Sequence, residues 1–394
     1  MNKKLYFILL VSLLVLLLSG CAAQTEEPLT GAYITGVTLN ETEAGQNANF
    51  VITIDAPQED IGLNFWGSFQ TGEVTISIVN QDNEEIAYAK TYGGALVNEN
   101  EIITLNQGEY DLLVSWDKPV TGTYNLEWKP GKVEIPEISP IVLMSGIGML
   151  LVGAIFFYLG VKNSKVSMGL LGGLFWLGTV IVKFIIAGSF NNLIYVWLTG
   201  VLPGLPGTII FSIYVGLLTG VTEILITYLV LKNTKFGKRV WNEIYAFSMG
   251  FGAIEAILLG LASLVSMILV LTMTSDLPVS QLRSIAVSNN FFYSFAPIVE
   301  RFFTILVHLG CNIMIFYSIY KKEMRWFWAS FALKSGIDAI AGYAQLSGQL
   351  QSVTFIWIIE AFVILFGILG YFATRKLSPE LKALTTPAPE EIVE

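Results

Sequence analysis

The sequence predicts a multi-domain protein, an extracellular all-β sandwich followed by an all-α polytopic membrane bundle of about seven transmembrane helices. Hydrophobic residues make up 54% of the chain and charged residues only 13%, a composition typical of membrane proteins. Apolar and polar residues alternate in the first third of the chain, whereas long apolar runs follow it. Residues 22–139 hold 19 acidic and 4 basic residues, and the chain from residue 140 onward holds 12 acidic and 16 basic residues.

The first 21 residues have the form of a signal peptide. Lys3 and Lys4 precede a short apolar run at residues 5–18, and the segment ends in Leu-Ser-Gly-Cys21. This ending resembles a bacterial lipobox, and the resemblance implies cleavage before Cys21 and a diacylglycerol on its sulfur. An uncleaved signal anchor is the alternative, but the apolar run is short for a membrane span. We therefore predict a lipoprotein signal peptide at residues 1–21.

Residues 22–32 are polar and predict a tether, and residues 33–135 predict the β-sandwich. Apolar and polar residues alternate there, as in Val-Thr-Ile-Ser-Ile-Val at residues 74–79, and Gly, Asn, Asp and Pro separate the segments. Because this region has no His or Cys and its carboxylates are scattered, we expect no catalytic site in it. Its negative charge excludes nucleic acid as a partner, since it would repel phosphate.

The predicted membrane domain covers residues 136–376, in which a short Pro-containing linker precedes seven segments long enough to cross a bilayer. The tail at residues 377–394 is rich in Pro and Glu, which predicts disorder. The predicted spans are residues 141–161, 167–188, 207–231, 242–273, 297–320, 326–346 and 352–374.

Basic residues predict the orientation of these spans. The connections after the first, third and fifth spans, together with the tail, carry twelve Lys and Arg residues, and the opposite connections carry only Arg283. Because cytoplasmic loops are enriched in Lys and Arg, the β-domain is expected outside and the C-terminus inside. The expected location is the bacterial cytoplasmic membrane, with a lipid anchor at Cys21.

Ionisable residues within the predicted spans indicate a functional site, because such groups are costly in hydrocarbon and usually face a bundle interior. His308 is the only histidine of the chain, and Glu300, Thr304 and His308 share one helix face. Four spans place an ionisable group at a similar depth, roughly 12–21 Å from the cytoplasmic helix ends. A structural role in interhelical hydrogen bonds is the alternative for each residue. The candidate catalytic residues are Glu223, Glu255, Glu300, Arg301, His308, Lys334 and Asp338.

The order of these motifs resembles a known family. Gly-x-x-x-Gly-x-x-Glu ends at Glu223, Gly-x-Gly-x-x-Glu ends at Glu255, and a Glu-Arg pair precedes His308. This order resembles the YhfC family of intramembrane metalloproteases, which is allied to the PrsW and CAAX-processing (CPBP) groups. The resemblance covers about residues 140–375 and implies a membrane-embedded peptidase that acts on a transmembrane protein or peptide. The positions that match the family pattern are Glu255, Glu300, Arg301, His308 and Asp338.

The sequence also departs from that pattern. Thr222 replaces the first member of a Glu pair, and Ile226 replaces an Arg. Phe251 stands in place of the His of Gly-His-Gly, and Lys334 in place of the His four residues before Asp338. The resemblance therefore implies a site that has lost part of its metal-binding set.

A hydrolytic zinc needs about three protein ligands and an open position for water. The donors that remain for a metal are His308, Glu255 and Asp338, with Glu223 as a further carboxylate. We expect no cofactor, because the ammonium of Lys334 beside Asp338 can supply the positive charge that zinc would supply. Zinc is the alternative.

Three classes of function follow. We favour a degenerate, inactive relative of the peptidases with a binding or regulatory role. The first alternative is an active intramembrane metallo- or glutamate-type peptidase, which bound metal would help to identify. The second is a transporter or channel component, in which the acidic groups form an ion path.

Overall fold

The computed structural model describes residues 32–41, 43–94 and 96–386. The predicted signal peptide, its Cys21 and almost all of the predicted tether lie outside the described residues, as does the end of the tail from residue 387. The chain forms two compact units. One contains the β-domain together with Leu269–Val287, and the other contains the rest of the helical region.

The β-domain is a six-stranded antiparallel sheet with the strand order β1-β6-β2-β5-β3-β4. The alternation at residues 74–79 forms most of β3, where Val74, Ile76 and Ile78 are fully buried. The strands are β1 (Ala32–Glu41), β2 (Gly45–Thr71), β3 (Glu73–Asn80), β4 (Ile86–Gly93), β5 (Val97–Trp116) and β6 (Val120–Pro130).

A single folded sheet forms the core of this domain. Strands β2 and β5 are 27 and 20 residues long, and their pairing is interrupted by a bulge between Ile54 and Gln58. On one side of the bulge β5 pairs with β3, and on the other side β2 pairs with β6. The ring of Phe65 on β2 stacks on that of Tyr92 on β4, with centroids 4.3 Å apart. Buried apolar side chains from both halves of the sheet form one core, which accounts for the alternating pattern of the sequence.

The helical region matches the predicted bundle. Helix α7 begins after Asn290, whose side chain accepts hydrogen bonds from the amides of Phe292 and Tyr293, and it ends at Lys322 in the left-handed conformation. The helices are α1 (Leu143–Val161), α2 (Val166–Val201), α3 (Leu205–Thr219), α4 (Ile226–Asn233), α5 (Trp241–Thr272), α6 (Val279–Ala286), α7 (Phe291–Lys321), α8 (Met324–Leu346) and α9 (Val353–Thr385).

Within the described part of the chain, six helical segments are long and apolar enough to cross a membrane. They correspond to six of the seven predicted spans. The remaining predicted span, residues 326–346, is present as helix α8 but is more polar than the others. The reason is that α8 carries Lys334, Ser335 and Asp338, which belong to the site described below.

Two predicted boundaries are corrected by the structure. Helix α2 has 36 residues and continues beyond the predicted end at residue 188 to Val201. Helix α9 continues to Thr385, so residues 377–385 are helical where the sequence predicts disorder. Leu381 is fully buried, and Glu380 pairs with Lys321 of α7, so packing and charge stabilise this last part of α9.

Close packing between α2 and α5 depends on Gly250. A Cβ added at Gly250 would lie 2.0 Å from the carbonyl oxygen of Gly169, whereas a Cβ at Gly178 would meet nothing within 4 Å. We predict that Gly250→Ala lowers the stability by about 1–3 kcal/mol or more, because the helices must separate. Gly178→Ala is the matched control and should be neutral or raise stability by about 0.5–1 kcal/mol. Thermal unfolding of both variants in detergent tests this, and equal effects would contradict it.

Candidate functional site

Small residues bring α3 and α8 together at the site. A Cβ added at Gly216 would lie 2.2 Å from the carbonyl oxygen of Ser335, and one at Gly220 would lie 2.2 Å from its hydroxyl. The glycine spacing in the sequence therefore serves a close helix contact, as expected for small residues four apart. This contact places Glu223, just beyond Gly220, beside Lys334 of α8.

Glu223 lies in an irregular part of its helix. Residues Gly220–Leu225 form a π-helical turn between α3 and α4. Such turns contain an extra residue and are frequent at functional sites. The side chain of Glu223 is only 3% exposed, so the turn holds a carboxylate inside the bundle.

Lys334 contacts two carboxylates. Its Nζ lies 3.3 Å from Oε2 of Glu223 and 2.9 Å from Oδ2 of Asp338, one helical turn away. Lys183 of α2 approaches the other side of Glu223, with 3.8 Å between its Nζ and Oε1. Because Lys334 is 3% exposed, its ammonium is a buried cation shared by two acidic groups.

A second group of contacts joins α5 and α7. Oε2 of Glu255 lies 2.7 Å from Nε2 of His308, and Oε1 of Glu255 accepts a hydrogen bond of 2.6 Å from Arg301. The guanidinium of Arg301 also donates to Glu300. Glu255 therefore lies between a histidine and an arginine, and Glu300 contacts the site through Arg301.

The two groups form one polar cluster. Lys334 of the first group interacts electrostatically with Glu255 of the second, and His308 of the second group interacts electrostatically with Glu223 of the first. All seven candidate residues predicted from the sequence thus lie in this cluster or contact one of its members. The cluster contains residues from α2, the π turn, α5, α7 and α8. Its first and last members, Lys183 and Asp338, lie 155 positions apart in the sequence.

Two of the positions that depart from the family pattern, Phe251 and Thr222, have structural roles. The ring of Phe251 packs on that of His308 with centroids 5.1 Å apart, and Phe251 is 2% exposed. The hydroxyl of Thr222 donates to the carbonyl oxygen of Leu218 at 3.0 Å, within its own helix. Neither side chain offers a donor atom to a metal in the cluster.

The arrangement of donors does not fit a three-ligand zinc site. No three His, Cys, Asp or Glu side chains in the described part of the chain are grouped so that they could hold a metal ion. His308 and Glu255 contact each other, while Glu223 and Asp338 contact the ammonium of Lys334. A hydrolytic zinc would need a third donor near the first pair.

Two further charged residues, Lys183 and Glu360, lie beside the candidate residues predicted from the sequence. Because α2 extends to Val201, Lys183 lies in the middle of the helix and reaches Glu223. Glu360 is 4% exposed and lies within electrostatic range of Glu300 and Arg301. The length of α2 was the signal that could have identified Lys183.

One comparison with known proteins gives a match. The model of the YhfC intramembrane metalloprotease family matches residues 147–363. The matched region contains every residue of the polar cluster, whereas the sheet lies before it. No curated protein matches the chain.

Proposed function

The chain belongs to the YhfC intramembrane metalloprotease family, and from this premise we propose that it is a degenerate member that binds transmembrane segments without cleaving them. The observation that carries the proposal is the position of Lys334. Its ammonium lies 3.3 Å from Glu223 and 2.9 Å from Asp338. A buried cation therefore already pairs with two carboxylates of the cluster.

An ammonium supplies one of the two positive charges of a zinc ion and none of its coordination chemistry. Zinc polarises a carbonyl and lowers the pKa of a bound water, and it needs an open coordination position for both. The ammonium of Lys334 has neither property. Phe251 further removes a donor and covers one side of His308. These two positions together support a stable, inactive cluster.

A binding role is supported by the surroundings of the cluster. The site lies among helices that are apolar enough to span a membrane, so its partner would be a transmembrane protein or peptide. A polar group on a partner helix could form hydrogen bonds with the charged groups of the cluster, and such bonds are stronger at a low dielectric constant. The proposal assigns the protein a binding or regulatory role towards such a partner.

Zinc titration tests the proposed loss of the metal site. The wild-type protein in detergent should unfold at the same temperature with excess zinc as with a chelator, because a ligand stabilises only a protein that binds it. The readout does not require a known substrate. A rise in the unfolding temperature that depends on zinc concentration and disappears in His308→Ala would refute the proposal.

The proposed location is the bacterial cytoplasmic membrane, with the β-domain outside, the C-terminus inside and a lipid on Cys21. Support comes from the Leu-Ser-Gly-Cys21 ending and from the twelve basic residues on one side. The loop that contains Arg283 belongs to the same compact unit as the β-domain, which supports placing both on one side of the membrane.

We predict that Cys21→Ser abolishes incorporation of labelled fatty acid and leaves the signal peptide attached. The reason is that both the lipid and the cleavage depend on the thiol of this cysteine. Cys311→Ser is the matched control, because this thiol is buried and should not change labelling. Equal labelling of wild type and Cys21→Ser would indicate an uncleaved signal anchor.

A second candidate function is a glutamate-type peptidase. The carboxylate of Glu255 and the imidazole of His308 are buried and in contact, with 2.7 Å between Oε2 and Nε2. The imidazole could orient this carboxylate as a general base towards a water. This function predicts cleavage of transmembrane peptides that persists in a chelator and is lost in Glu255→Gln.

A further inference from the structure

The segment between α5 and α7 is held by the β-domain. It belongs to the same compact unit as the sheet over Leu269–Val287. The indole nitrogen of Trp66 donates to the carbonyl oxygen of Asp276 at 2.7 Å. The side-chain amide of Asn98 donates to the carbonyl oxygens of Ser275 and Leu277, at 2.7 and 3.0 Å.

The sheet positions the side chains that donate these hydrogen bonds. Trp66 and Asn98 are direct partners in the β2–β5 ladder, so their side chains lie side by side. Asn64, which is 3% exposed, donates to the side-chain oxygen of Asn98 and orients its amide towards the segment. Three consecutive backbone carbonyls, at residues 275–277, are therefore held by one cross-strand pair.

A second attachment holds helix α6. Nη1 of Arg283 lies 2.5 Å from Oε1 of Glu127 on β6, and the same guanidinium donates to the carbonyl oxygen of Glu134. The side chain of Glu127 is only 11% exposed, so this ion pair is shielded more than an ordinary surface pair. The segment is thus attached to β2, β5 and β6.

The segment connects α5 and α7, the two helices on the His308 side of the cluster. Helix α5 carries Glu255, and α7 carries Arg301 and His308. Because helices are stiff, a displacement of the segment moves the ends of α5 and α7 together with the side chains that they carry. Arg301 lies about 15 Å along α7 from its first residue, and Glu255 about 26 Å along α5 from its last.

We propose that the β-domain controls the Glu255–Arg301–His308 contacts by holding or releasing the segment at residues 275–283. The domain would act on the spacing of α5 and α7 through covalent connections alone. A change in the sheet that breaks the Trp66, Asn98 or Glu127 contact releases the segment. This device does not depend on whether the cluster cleaves peptides or only binds them.

The test uses the full chain in detergent and two readouts. Amide hydrogen exchange of residues 279–286 reports whether the segment is held. The imidazole ¹⁵N signals report the site, because His308 is the only histidine in the sequence. The variants are Glu127→Arg, Arg283→Glu, the double reversal, and Trp66→Phe, which removes the indole N–H and keeps an aromatic ring. Lys90→Ala is the matched control, since Lys90 pairs with Glu99 and Glu101 within the sheet.

The single reversals and Trp66→Phe should accelerate exchange of residues 279–286, about tenfold for loss of the charged hydrogen bond, and shift the His308 signals. The double reversal should restore both readouts, and Lys90→Ala should change neither. If a single reversal fails to fold, Trp66→Phe and the double reversal still decide the matter. Faster exchange without any shift of the His308 signals would overturn the proposal, and so would unchanged exchange in every variant.

Discussion

Lys334→Ala should destabilise the helical region by about 3–5 kcal/mol, the usual cost of removing one partner of a buried ion pair. Lys334 is 3% exposed and contacts Glu223 and Asp338. Its removal leaves two carboxylates close together in a low-dielectric setting with little water to solvate them. The substitution should also change the His308 signals, because the cluster is electrostatically connected.

Lys183→Ala is the matched control for this prediction. Lys183 approaches the same carboxylate, but at 3.8 Å and with a side chain that is 24% exposed. Its loss should therefore cost clearly less than the loss of Lys334. Thermal and denaturant unfolding in detergent would measure both effects. A Lys334→Ala variant that is as stable as wild type would mean that its ammonium does not stabilise the two carboxylates.

The combination of Phe251→His with Lys334→His should create a zinc site. The ring of Phe251 already contacts His308, and Lys334 already contacts Glu223. The two introduced imidazoles, His308 and Glu223 then offer up to four donors of the kinds that zinc prefers. At a free zinc concentration of 100 times the dissociation constant, bound metal should stabilise the variant by about 2.7 kcal/mol.

Each single variant and a triple variant serve as controls for this prediction. Phe251→His alone retains the ammonium, and Lys334→His alone lacks one imidazole, so each should gain less from zinc than the combination. Adding His308→Ala should remove most of the gain. A combination that unfolds at the same temperature with and without zinc would show that the four positions do not converge on one metal site.

The sequence predicted the strands and helices of this protein better than the tertiary contacts between them. Alternation at residues 74–79 gave strand β3, since every second side chain is buried there. Gly216 and Gly220 lie four residues apart, a spacing typical of a close helix contact, and α8 makes that contact. These features are local, with a period set by the backbone geometry of a strand or a helix. Local patterns do not specify which distant segment supplies the partner.

The parts that were missed depend on long-range or irregular structure. The π turn at Gly220–Leu225 has no simple sequence signature, although it holds Glu223 in the site. The hydrogen bond from Trp66 to Asp276 joins residues 210 positions apart. The helical end of α9 depends on contacts of Glu380 with Lys321 and Tyr317, which composition alone does not indicate. In the last case tertiary contacts overrode the local expectation of disorder.

The most direct test of the proposed metal-free site is the metal content of the protein as it is purified from cells without chelator. Elemental analysis of the wild type should give far less than one zinc per chain, because Lys334 takes the place of the ion beside Glu223 and Asp338. The Phe251→His and Lys334→His combination, prepared in parallel, should approach one zinc per chain. Stoichiometric metal in the wild type that is lost on His308→Ala would contradict this account and identify an active-type metal centre.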